Sequence, residues 1–205
     1  MLDFEQSVKN EGYRFIIGID EAGRGPLAGP VVASAVAVRH YDFSSKIADS
    51  KTISSLQREV AFQEILEKSY VGVGIINETV IDDVNILQAT YIAMNNAVLQ
   101  LMNSLEKEKG IQDDRSGTCL LVDGNRFKTD LPYTYKTVIK GDSKVFSIAC
   151  ASIVSKVIRD RILMAYDRIF PDYGFKKHKG YPTSDHKKAI VRHGLSMIHR
   201  KTFIH

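Results

Sequence analysis

The chain has 205 residues, of which 44% are apolar and only five are proline, a composition that suits one folded α/β domain and excludes a disordered chain. Cys119 and Cys150 lie in apolar segments without the spacing of metal ligands, so we expect reduced core residues rather than a disulfide framework. No segment has the pattern of a secretion leader or an apolar run that spans a bilayer, so the expected location is the cytoplasm, with no membrane partner.

The net charge of +4 is unevenly distributed along the chain. Residues 176–201 carry eight lysines and arginines against one acid, which leaves the rest of the chain with a net charge of −3. Five of the six histidines also lie from His178 onward. This basic segment is typical of a surface that binds a polyanion, and a solvated basic helix is the alternative interpretation.

The predicted elements alternate between strands and helices. Apolar runs and alternating apolar residues predict strands at residues 13–19, 30–38, 70–76, 118–122 and 133–139. Helical spacing of apolar residues predicts helices from Ser54 or Ser55 to residue 68, from Leu87 to Leu105, and from Phe146 to Met164, ending before Pro171. This order predicts an α/β fold in which helices flank a five-stranded sheet.

The remaining segments are polar or rich in turn residues. Polar residues 111–117 are expected to close the long helix, and a loop at residues 178–184 leads into a last helix capped by Ser184 or Asp185. We therefore divide the chain into a main domain, residues 1–170, and a basic C-terminal helical segment, residues 171–205, packed on that domain.

Acids follow two of the predicted strands. The first strand leads into G-I-D-E-A-G-R-G-P at residues 18–26, and residues 118–122 lead into Asp123. Charge at the rim of a core costs solvation energy unless a cation or a donor compensates it. Because ligand sites of open α/β sheets gather at strand ends, Asp20, Glu21 and Asp123 are candidates to hold a divalent cation. Carboxylates without cysteine or histidine ligands favour Mg²⁺ or Mn²⁺, and helix caps or salt bridges are the alternative use of these acids.

The adjacency of Asp20 and Glu21 sets a condition on the strand. Successive strand residues face opposite ways, so the two side chains can converge only where the strand bends or ends. Gly23 and Gly25 favour such an end, and they let backbone N–H groups approach a phosphate or a sugar. We therefore expect the strand predicted at residues 13–19 to bend or end at these acids.

A fourth acid is harder to choose from the pattern. Asp160 is in phase with the apolar face of the third long helix, where Arg159 or Arg161 would neutralise it. Asp142 precedes that helix, where an acid either interacts with the positive helix end or points into a site. Periodicity leaves the two candidates equal.

Seven sequence blocks occur in order between residues 13 and 203. They are G-I-D-E-A-G-R-G (18–25), D-S-K (49–51), L-V-D-G (121–124), K-G-D-S (140–143), A-C-A-S-I-V-S-K-V-I-R-D (149–160), K-G-Y (179–181) and H-G-L-S-M-I-H-R (193–200). Together these blocks resemble the prokaryotic ribonuclease HII family, and their conjunction is far more specific than any one block. Ser155 and Met197 depart from the family's usual alanine and proline.

The resemblance implies a ribonuclease H-like fold with a mixed five-stranded sheet and a small C-terminal helical appendage. It also implies an endonuclease that cuts the RNA strand of RNA–DNA hybrids and nicks duplex DNA at single ribonucleotides. The family's four catalytic and metal-binding carboxylates fall on Asp20, Glu21, Asp123 and Asp142, which leaves Asp160 as a structural acid. Its substrate-binding positions fall on Gly23, Arg24, Gly25, Lys51 and Tyr181.

These assignments suggest a two-cation hydrolysis, because two cations bridged by carboxylates serve both the attacking water and the leaving 3′ oxygen. In this hypothesis Asp20 bridges the cations, Glu21 and Asp123 hold one side and Asp142 holds the other, giving 5′-phosphate and 3′-hydroxyl ends. Backbone groups of residues 23–25 would detect the ribose 2′-hydroxyl, and Tyr181 would stack at the RNA–DNA junction. A core tyrosine is the alternative for Tyr181.

The expected partners are RNA–DNA hybrid and ribonucleotide-containing duplex DNA, bound by a monomer. Basic residues of the C-terminal segment would contact phosphates without reading sequence, so affinity is expected to fall steeply with salt. They are Lys176, Lys177, Lys179, Lys187, Lys188 and Arg192. Two other functions fit the pattern less well: a non-catalytic nucleic-acid-binding domain, and another ribonuclease H-like nuclease such as a junction resolvase.

Overall fold

The computed structural model describes residues 1–109 and 114–204, and its centre is one five-stranded sheet. The strands are β1 (Phe15–Ala22), β2 (Val31–Val38), β3 (Ser69–Ile76), β4 (Thr118–Asp123) and β5 (Thr134–Val138), arranged in the order β3-β2-β1-β4-β5. The pairs β1–β2 and β2–β3 are antiparallel, whereas β1–β4 and β4–β5 are parallel. The predicted α/β class with a mixed five-stranded sheet is confirmed.

The helices are α1 (Leu2–Asn10), α2 (Ser55–Lys68), α3 (Glu78–Val84), α4 (Ile86–Lys109), α5 (Phe146–Ile169), α6 (Phe175–His178) and α7 (Ser184–His193). Helices α2, α4, α5 and α7 match the sequence prediction, whereas α1, α3 and the short α6 were not predicted. Part of the loop predicted at residues 111–117 lies outside the described residues. No helix in the described part of the chain is long and apolar enough to cross a membrane.

Two helix starts test the predicted caps. Ser54 caps α2, because its hydroxyl accepts the Gln57 N–H and the Gln57 side chain accepts the Ser54 N–H in return. Helix α7 is capped by Thr183, whose hydroxyl accepts the N–H of His186 at 3.2 Å. The predicted cap at Ser184 or Asp185 is therefore wrong, since Thr183 has the extended backbone that a cap requires.

The sheet is covered on both faces. On one face Ile17 and Ile19 pack with Met94 and Leu101 of α4, and on the other Ile16 packs with Ile148 of α5. This alternation along β1 is the two-residue period of a strand. The near-continuous apolar run of β1 follows from burial on both sides.

Helix α5 approaches β1 closely at Gly18. A Cβ atom there would lie 2.2 Å from the carbonyl carbon of Ser147, in the first turn of the helix. The absence of a side chain at Gly18 thus lets α5 lie against the strand just before Asp20. Glu5 of α1 fixes the same helix start, because its Oε1 accepts the Ser147 N–H at 2.7 Å. This tertiary contact explains an N-terminal helix that local pattern did not reveal.

The C-terminal segment is joined to the loop between β1 and β2 by backbone hydrogen bonds. The N–H of Leu27 donates to Gly180, that of Gly29 to Ile198, and that of Arg200 to Leu27. Segment and loop therefore support each other next to the end of β1. The division of the chain at residue 170 stays a prediction.

Candidate active site

The sheet register places Asp20 beside Asp123. Ile19 pairs with Val122 in the parallel β1–β4 ladder. The residues that follow them, Asp20 and Asp123, therefore lie side by side on neighbouring strands. Ile19 and Val122 both belong to the core on the α4 side, and strand alternation turns Asp20 toward the α5 side. Asp20 is 5% exposed. Two acids from strands far apart in sequence thus meet at one end of the sheet.

Glu21 follows Asp20 within the same strand. Pairing with β2 continues through Asp20 opposite Ser34 and Glu21 opposite Ala33, so the predicted strand range of residues 13–19 ends too early. Glu21 and Asp20 nevertheless line one cavity, and Glu21 also lines a second one. The N–H of Glu21 donates to Asp20 Oδ1 at 2.7 Å. The two carboxylates can therefore share a cavity although the strand continues through both residues.

A short 3₁₀ turn, Gly141–Ser143, brings Asp142 to the same place. The N–H of Gly141 donates to Asp123 Oδ1 at 2.6 Å, which holds this turn against the end of β4. Asp142 is 9% exposed. We refer to Asp20, Glu21, Asp123 and Asp142 as the carboxylate cluster.

Asp160 lies outside this cluster. Its Oδ1 accepts a hydrogen bond from Lys156 Nζ at 2.7 Å, one helical turn away. Arg159 and Arg161, the expected partners, are used elsewhere: Arg159 binds backbone carbonyls and Arg161 pairs with Glu59. The expectation that one of these arginines neutralises Asp160 is therefore wrong.

The electrostatics of the carboxylate cluster are those of crowded, desolvated acids. Burial raises the pKa of Asp20 well above its ordinary value, and the charges of Glu21 and Asp123 raise it further. Burial also raises the pKa of Glu21, and burial with the charges of Asp123 and Asp49 raises the pKa of Asp142. Each raised pKa means that the negative charge of the carboxylate is not fully compensated by nearby cations or hydrogen-bond donors. Asp49 adds a fifth acid at the edge of the cluster that sequence analysis left unassigned.

Two cations border the carboxylate cluster. Arg24 Nη1 lies 3.4 Å from Glu21 Oε1, a partly exposed pair. Burial alone would lower the pKa of Lys51, but the charges of Asp49, Asp20 and Asp142 outweigh it and raise that pKa. Lys51 is exposed and stands in the field of the cluster. Two cations do not balance these acids, and the residual negative charge favours an added divalent cation.

The donor set fits such a cation. All four cluster members supply carboxylate oxygens, the ligands that Mg²⁺ and Mn²⁺ prefer. In the part of the chain that the structure describes, no three acids or histidines already have the arrangement of a metal site. The carboxylates therefore fit a divalent cation by chemistry and charge, and binding requires their side chains to close in.

Ser152 of α5 supports Asp20 from behind. Its hydroxyl favours the charged form of the Asp20 carboxyl, which counteracts the raised pKa of that group, and it lies 2.9 Å from the hydroxyl of Ser50. Both serines are buried. They belong to sequence blocks quoted above, but nothing in the pattern itself distinguished them from core serines.

Two cavities flank the carboxylate cluster. One of about 290 Å³ contains Asp20, the glycine-arginine-glycine loop, Lys51 and Tyr181. The other, of about 310 Å³, contains Asp123, Arg126 and Tyr91 on the α4 side. Glu21 and Arg24 line both cavities. A polymer could thus pass over the acids from one cavity to the other.

Arg200 determines the orientation of the glycine-arginine-glycine loop. This fully buried side chain donates to the carbonyl oxygens of Gly23 at 2.6 Å, Arg24 at 3.1 Å and Gly29 at 2.9 Å. Gly23 has φ +105°, which lets the chain turn sharply after β1. Among the described residues, no protein acceptor binds the N–H groups of residues 23–25. The loop thus turns its carbonyls inward and leaves its donors free.

Arg159 holds the next part of the same loop. Its guanidinium donates to the carbonyl oxygens of Ala28 and Lys179 at 3.0 Å and of Pro30 at 2.9 Å. Burial lowers the pKa of Arg159 to about 10, so the group stays charged at neutral pH. Sequence analysis missed the roles of Arg159 and Arg200, and their positions inside family-like blocks were the only signal available.

Tyr181 lies next to this loop. It is 42% exposed, which rules out the core alternative. A Cβ atom added to Gly25 would lie 3.9 Å from the Tyr181 ring, so the ring stands against the loop. Leu27 and Gly180 join the two segments through a backbone hydrogen bond of 2.8 Å.

A basic surface begins immediately beyond Tyr181. An open groove of about 620 Å³ is lined by Pro182, Ser184, Lys187, Lys188, Val191 and Arg192. Lys176 and Lys177 are also exposed, whereas Lys179 is half-buried. The predicted basic face thus begins at Pro182, the residue that follows Tyr181 in the chain.

Solved structures define the class of fold. Ribonuclease H2 from Pyrococcus horikoshii superposes with a TM-score of 0.68 at 22% identity, over 92% of this chain and 93% of that chain. Bst-RNase HIII in complex with Mn²⁺ gives a TM-score of 0.63 at 14% identity, over 87% and 70%. The fold is therefore ribonuclease H-like.

Sequence comparison narrows this class. The profile of the ribonuclease HII family matches residues 17–205. Ribonuclease HII of Chlorobaculum parvum is 49% identical over 193 residues, which are 92% of this chain and 88% of the relative. The chain belongs to the ribonuclease HII family and is an endonuclease that depends on a divalent metal and acts on nucleic acid.

Proposed function

We propose that the protein hydrolyses the RNA strand of RNA–DNA hybrids and nicks duplex DNA on the 5′ side of single embedded ribonucleotides. The observation that carries this proposal is the content of one cavity: Asp20 and Glu21, the donors of residues 23–25, and Tyr181 all line it. Hydrolysis, detection of ribose and detection of the junction can therefore act on one nucleotide. Excision of ribonucleotides from DNA follows as the process served.

The carboxylate cluster would hold Mg²⁺ or Mn²⁺ through the side-chain oxygens of Asp20, Glu21, Asp123 and Asp142. Bound cations supply the Lewis-acid chemistry, which lowers the pKa of the attacking water and neutralises charge on the leaving 3′ oxygen. Ser152 keeps the Asp20 carboxyl oriented, and the Gly141 N–H does the same for Asp123. The products are a 5′-phosphate and a 3′-hydroxyl.

Recognition of ribose would fall to the loop of residues 23–25. A 2′-hydroxyl can accept hydrogen bonds from backbone N–H groups, and it is the group that separates RNA from DNA. Arg200 turns the loop carbonyls away, so the free donors face the cavity side. Arg24 is close enough to Glu21 to contact a phosphate next to the acids.

Tyr181 would stack on the sugar or base that follows the ribonucleotide. Stacking of a base on an aromatic side chain contributes about 1–3 kcal/mol. The exposed ring and the adjacent basic groove fit a DNA strand that continues across α7, where Lys187, Lys188 and Arg192 would bind phosphates. Lys51 would contact the phosphate near the carboxylate cluster.

The deciding experiment uses duplex DNA with one ribonucleotide, Mg²⁺ or Mn²⁺, and then a chelator. We expect a nick 5′ of the ribonucleotide that requires the metal and disappears with chelator. DNA of the same sequence without the ribonucleotide is the matched control. Binding without cleavage would favour a non-catalytic module, and preferential cleavage of four-way junctions would favour a resolvase; either result contradicts the proposal.

We further propose that the protein acts as a monomer in the cytoplasm. The thiols of Cys119 and Cys150 are free and buried, as expected for a reducing compartment. All the groups assigned above come from one chain, so the proposed reaction needs no second copy. Light scattering at working concentration tests the monomer.

A further inference from the structure

Three buried histidines lie behind Tyr181. His178, His186 and His199 are 8%, 0% and 2% exposed. The rings of His178 and His186 stack with centroids 4.3 Å apart, and His186 Nε2 lies 3.1 Å from His199 Nε2. Burying a ring nitrogen without a partner is costly, and every nitrogen of these rings has one.

The partners define where the protons are. The backbone N–H of Ser196 donates to His199 Nδ1 at 2.9 Å, so the proton of a neutral His199 is on Nε2. That Nε2–H then donates to His186 Nε2, which leaves the proton of His186 on Nδ1. His186 Nδ1–H donates to the carbonyl oxygen of Tyr181 at 2.9 Å. A chain of three hydrogen bonds therefore runs from Ser196 to Tyr181, with its direction fixed at both ends by the backbone.

His178 holds the other side of Tyr181. Its Nδ1 accepts the N–H of Gly180 at 3.2 Å, and its Nε2–H donates to the carbonyl oxygen of Tyr173 at 2.7 Å. The N–H of Tyr181 in turn donates to the carbonyl oxygen of His178 at 3.0 Å. Both backbone polar groups of Tyr181 are thus bound by histidine residues, and its carbonyl oxygen also accepts the N–H of Thr183 at 2.8 Å. The Tyr181 ring stays exposed beside Gly25.

We propose that His186 is a positioning residue that fixes the Tyr181 ring against the loop of residues 23–25. The hydrogen bond from His199 selects the His186 tautomer with its proton on Nδ1, which is the one that can donate to Tyr181. This inference rests on the proposed function, because it assigns the preference for a ribonucleotide–DNA junction to the hydrogen-bond chain. The rival interpretation is packing alone, since Phe175 contacts all three rings.

Matched variants separate the two interpretations. His186→Asn places an amide N–H near the position of Nδ1 and so keeps the hydrogen-bond donor to Tyr181. His186→Leu keeps the volume of the side chain but removes that donor. The activity ratio is kcat/KM on duplex DNA with one ribonucleotide divided by kcat/KM on a long RNA–DNA hybrid. One hydrogen bond is worth about 0.5–1.5 kcal/mol, so we expect His186→Leu to lower the ratio about three- to tenfold and His186→Asn to keep it within about twofold.

Tyr181→Ala provides the third comparison. If His186 acts through Tyr181, the double variant Tyr181→Ala/His186→Leu will have the ratio of Tyr181→Ala alone. A wild-type ratio in His186→Leu would overturn the proposal, and so would equal losses in His186→Leu and His186→Asn. A wild-type enzyme that does not nick the ribonucleotide substrate would overturn the proposed function. Normal nicking by the wild type with an unchanged ratio in His186→Leu would overturn only the role of His186, so the two failures are distinguishable.

A measurement on the wild-type protein covers the case in which His186→Leu does not fold. Nitrogen-15 spectra of the imidazole rings distinguish protonated from unprotonated ring nitrogens. We expect a proton on Nδ1 of His186 and on Nε2 of His199 and His178 at neutral pH. A proton on Nε2 of His186 would break the bond to Tyr181 and overturn the proposal.

Discussion

Asp123 connects the two halves of the carboxylate cluster. It stands level with Asp20 in the parallel ladder, and it accepts the Gly141 N–H next to Asp142. The charge of Asp123 also contributes to the raised pKa of both Asp20 and Asp142. One side chain thus influences both the position and the charge of its neighbours.

The choice between Asp142 and Asp160 is tested by two conservative substitutions. We expect Asp142→Asn to lower kcat on the ribonucleotide substrate by about 10²-fold or more, because it removes a proposed cation ligand. Asp160→Asn should change kcat by at most about threefold, because it only releases Lys156. Single-turnover cleavage and thermal denaturation of both variants are the measurements. Loss of activity in a folded Asp160→Asn together with an active Asp142→Asn would contradict the assignment.

Helix α5 organises more of the site than its apolar spacing suggests. Its first turn lies on Gly18, two residues before Asp20, Ser152 supports the Asp20 carboxyl, and Arg159 holds the loop that carries the free donors. These three contacts lie on successive parts of one helix. A shift of α5 would therefore disturb acids and loop together.

A methyl group at Gly18 should displace this helix. The new Cβ would meet the Ser147 backbone at 2.2 Å, and backbone cannot move aside as a side chain can. We expect Gly18→Ala to lower the free energy of unfolding by about 2–3 kcal/mol or more. Urea denaturation measures the change.

Gly25→Ala is the matched control. Its Cβ would have an ordinary contact of 3.9 Å with Tyr181, and no left-handed backbone angle opposes the substitution. Stability should stay within about 0.5 kcal/mol of wild type. Equal stability of the two variants would show that the contact between α5 and β1 tolerates a side chain.

Opposite charges are collected at separate places in the molecule. The carboxylate cluster concentrates negative charge at the end of the sheet, whereas α7 and the residues before it present lysines and arginines. This arrangement attracts a polyanion along the basic groove and a cation at the acids. It also stores repulsion in the metal-free protein, which adds to the larger effect of burial in raising the pKa values of Asp20, Glu21 and Asp142.

Divalent metal should therefore stabilise the folded protein. A ligand that binds only the native state raises its stability by mass action, so Mg²⁺ or Mn²⁺ in excess should raise Tm relative to chelator. Asp142→Asn removes one repelling charge, and we expect it to be more stable than wild type in chelator by about 1 kcal/mol, or about 2–4 °C in Tm. Its response to metal should be smaller. A lower Tm for this variant in chelator would contradict the stored repulsion.

The buried histidines predict how stability depends on pH. Burial, together with the charge of His186, lowers the pKa of His199 from 6.5 to about 4. As pH falls through this window the unfolded chain takes up a proton and the folded chain does not, so the free energy of unfolding falls, by up to about 3 kcal/mol. Urea denaturation at pH 7 and pH 5 measures the loss. His199→Gln should show a smaller loss, and an equal loss in both proteins would exclude His199 as its source.

The sequence by itself determined the class of fold, the five strands and the longer helices, because each depends on local apolar spacing. It also identified Asp20, Glu21 and Asp123 as acids that follow buried strands. The family-like blocks added Asp142, Lys51 and Tyr181, whose roles remain predictions. Local pattern failed at α1, α3 and α6 and at the end of β1.

Only the tertiary structure decided which groups meet. The parallel register places Asp20 beside Asp123, and the Gly141 N–H holds the turn that carries Asp142 against Asp123. Asp160 pairs with Lys156 instead and lies outside the cluster. Arg200 and the buried histidines act through backbone carbonyls and N–H groups, which carry no sequence signature. Periodicity reports which face of an element is buried, whereas hydrogen bonds between distant segments exist only after the chain has folded.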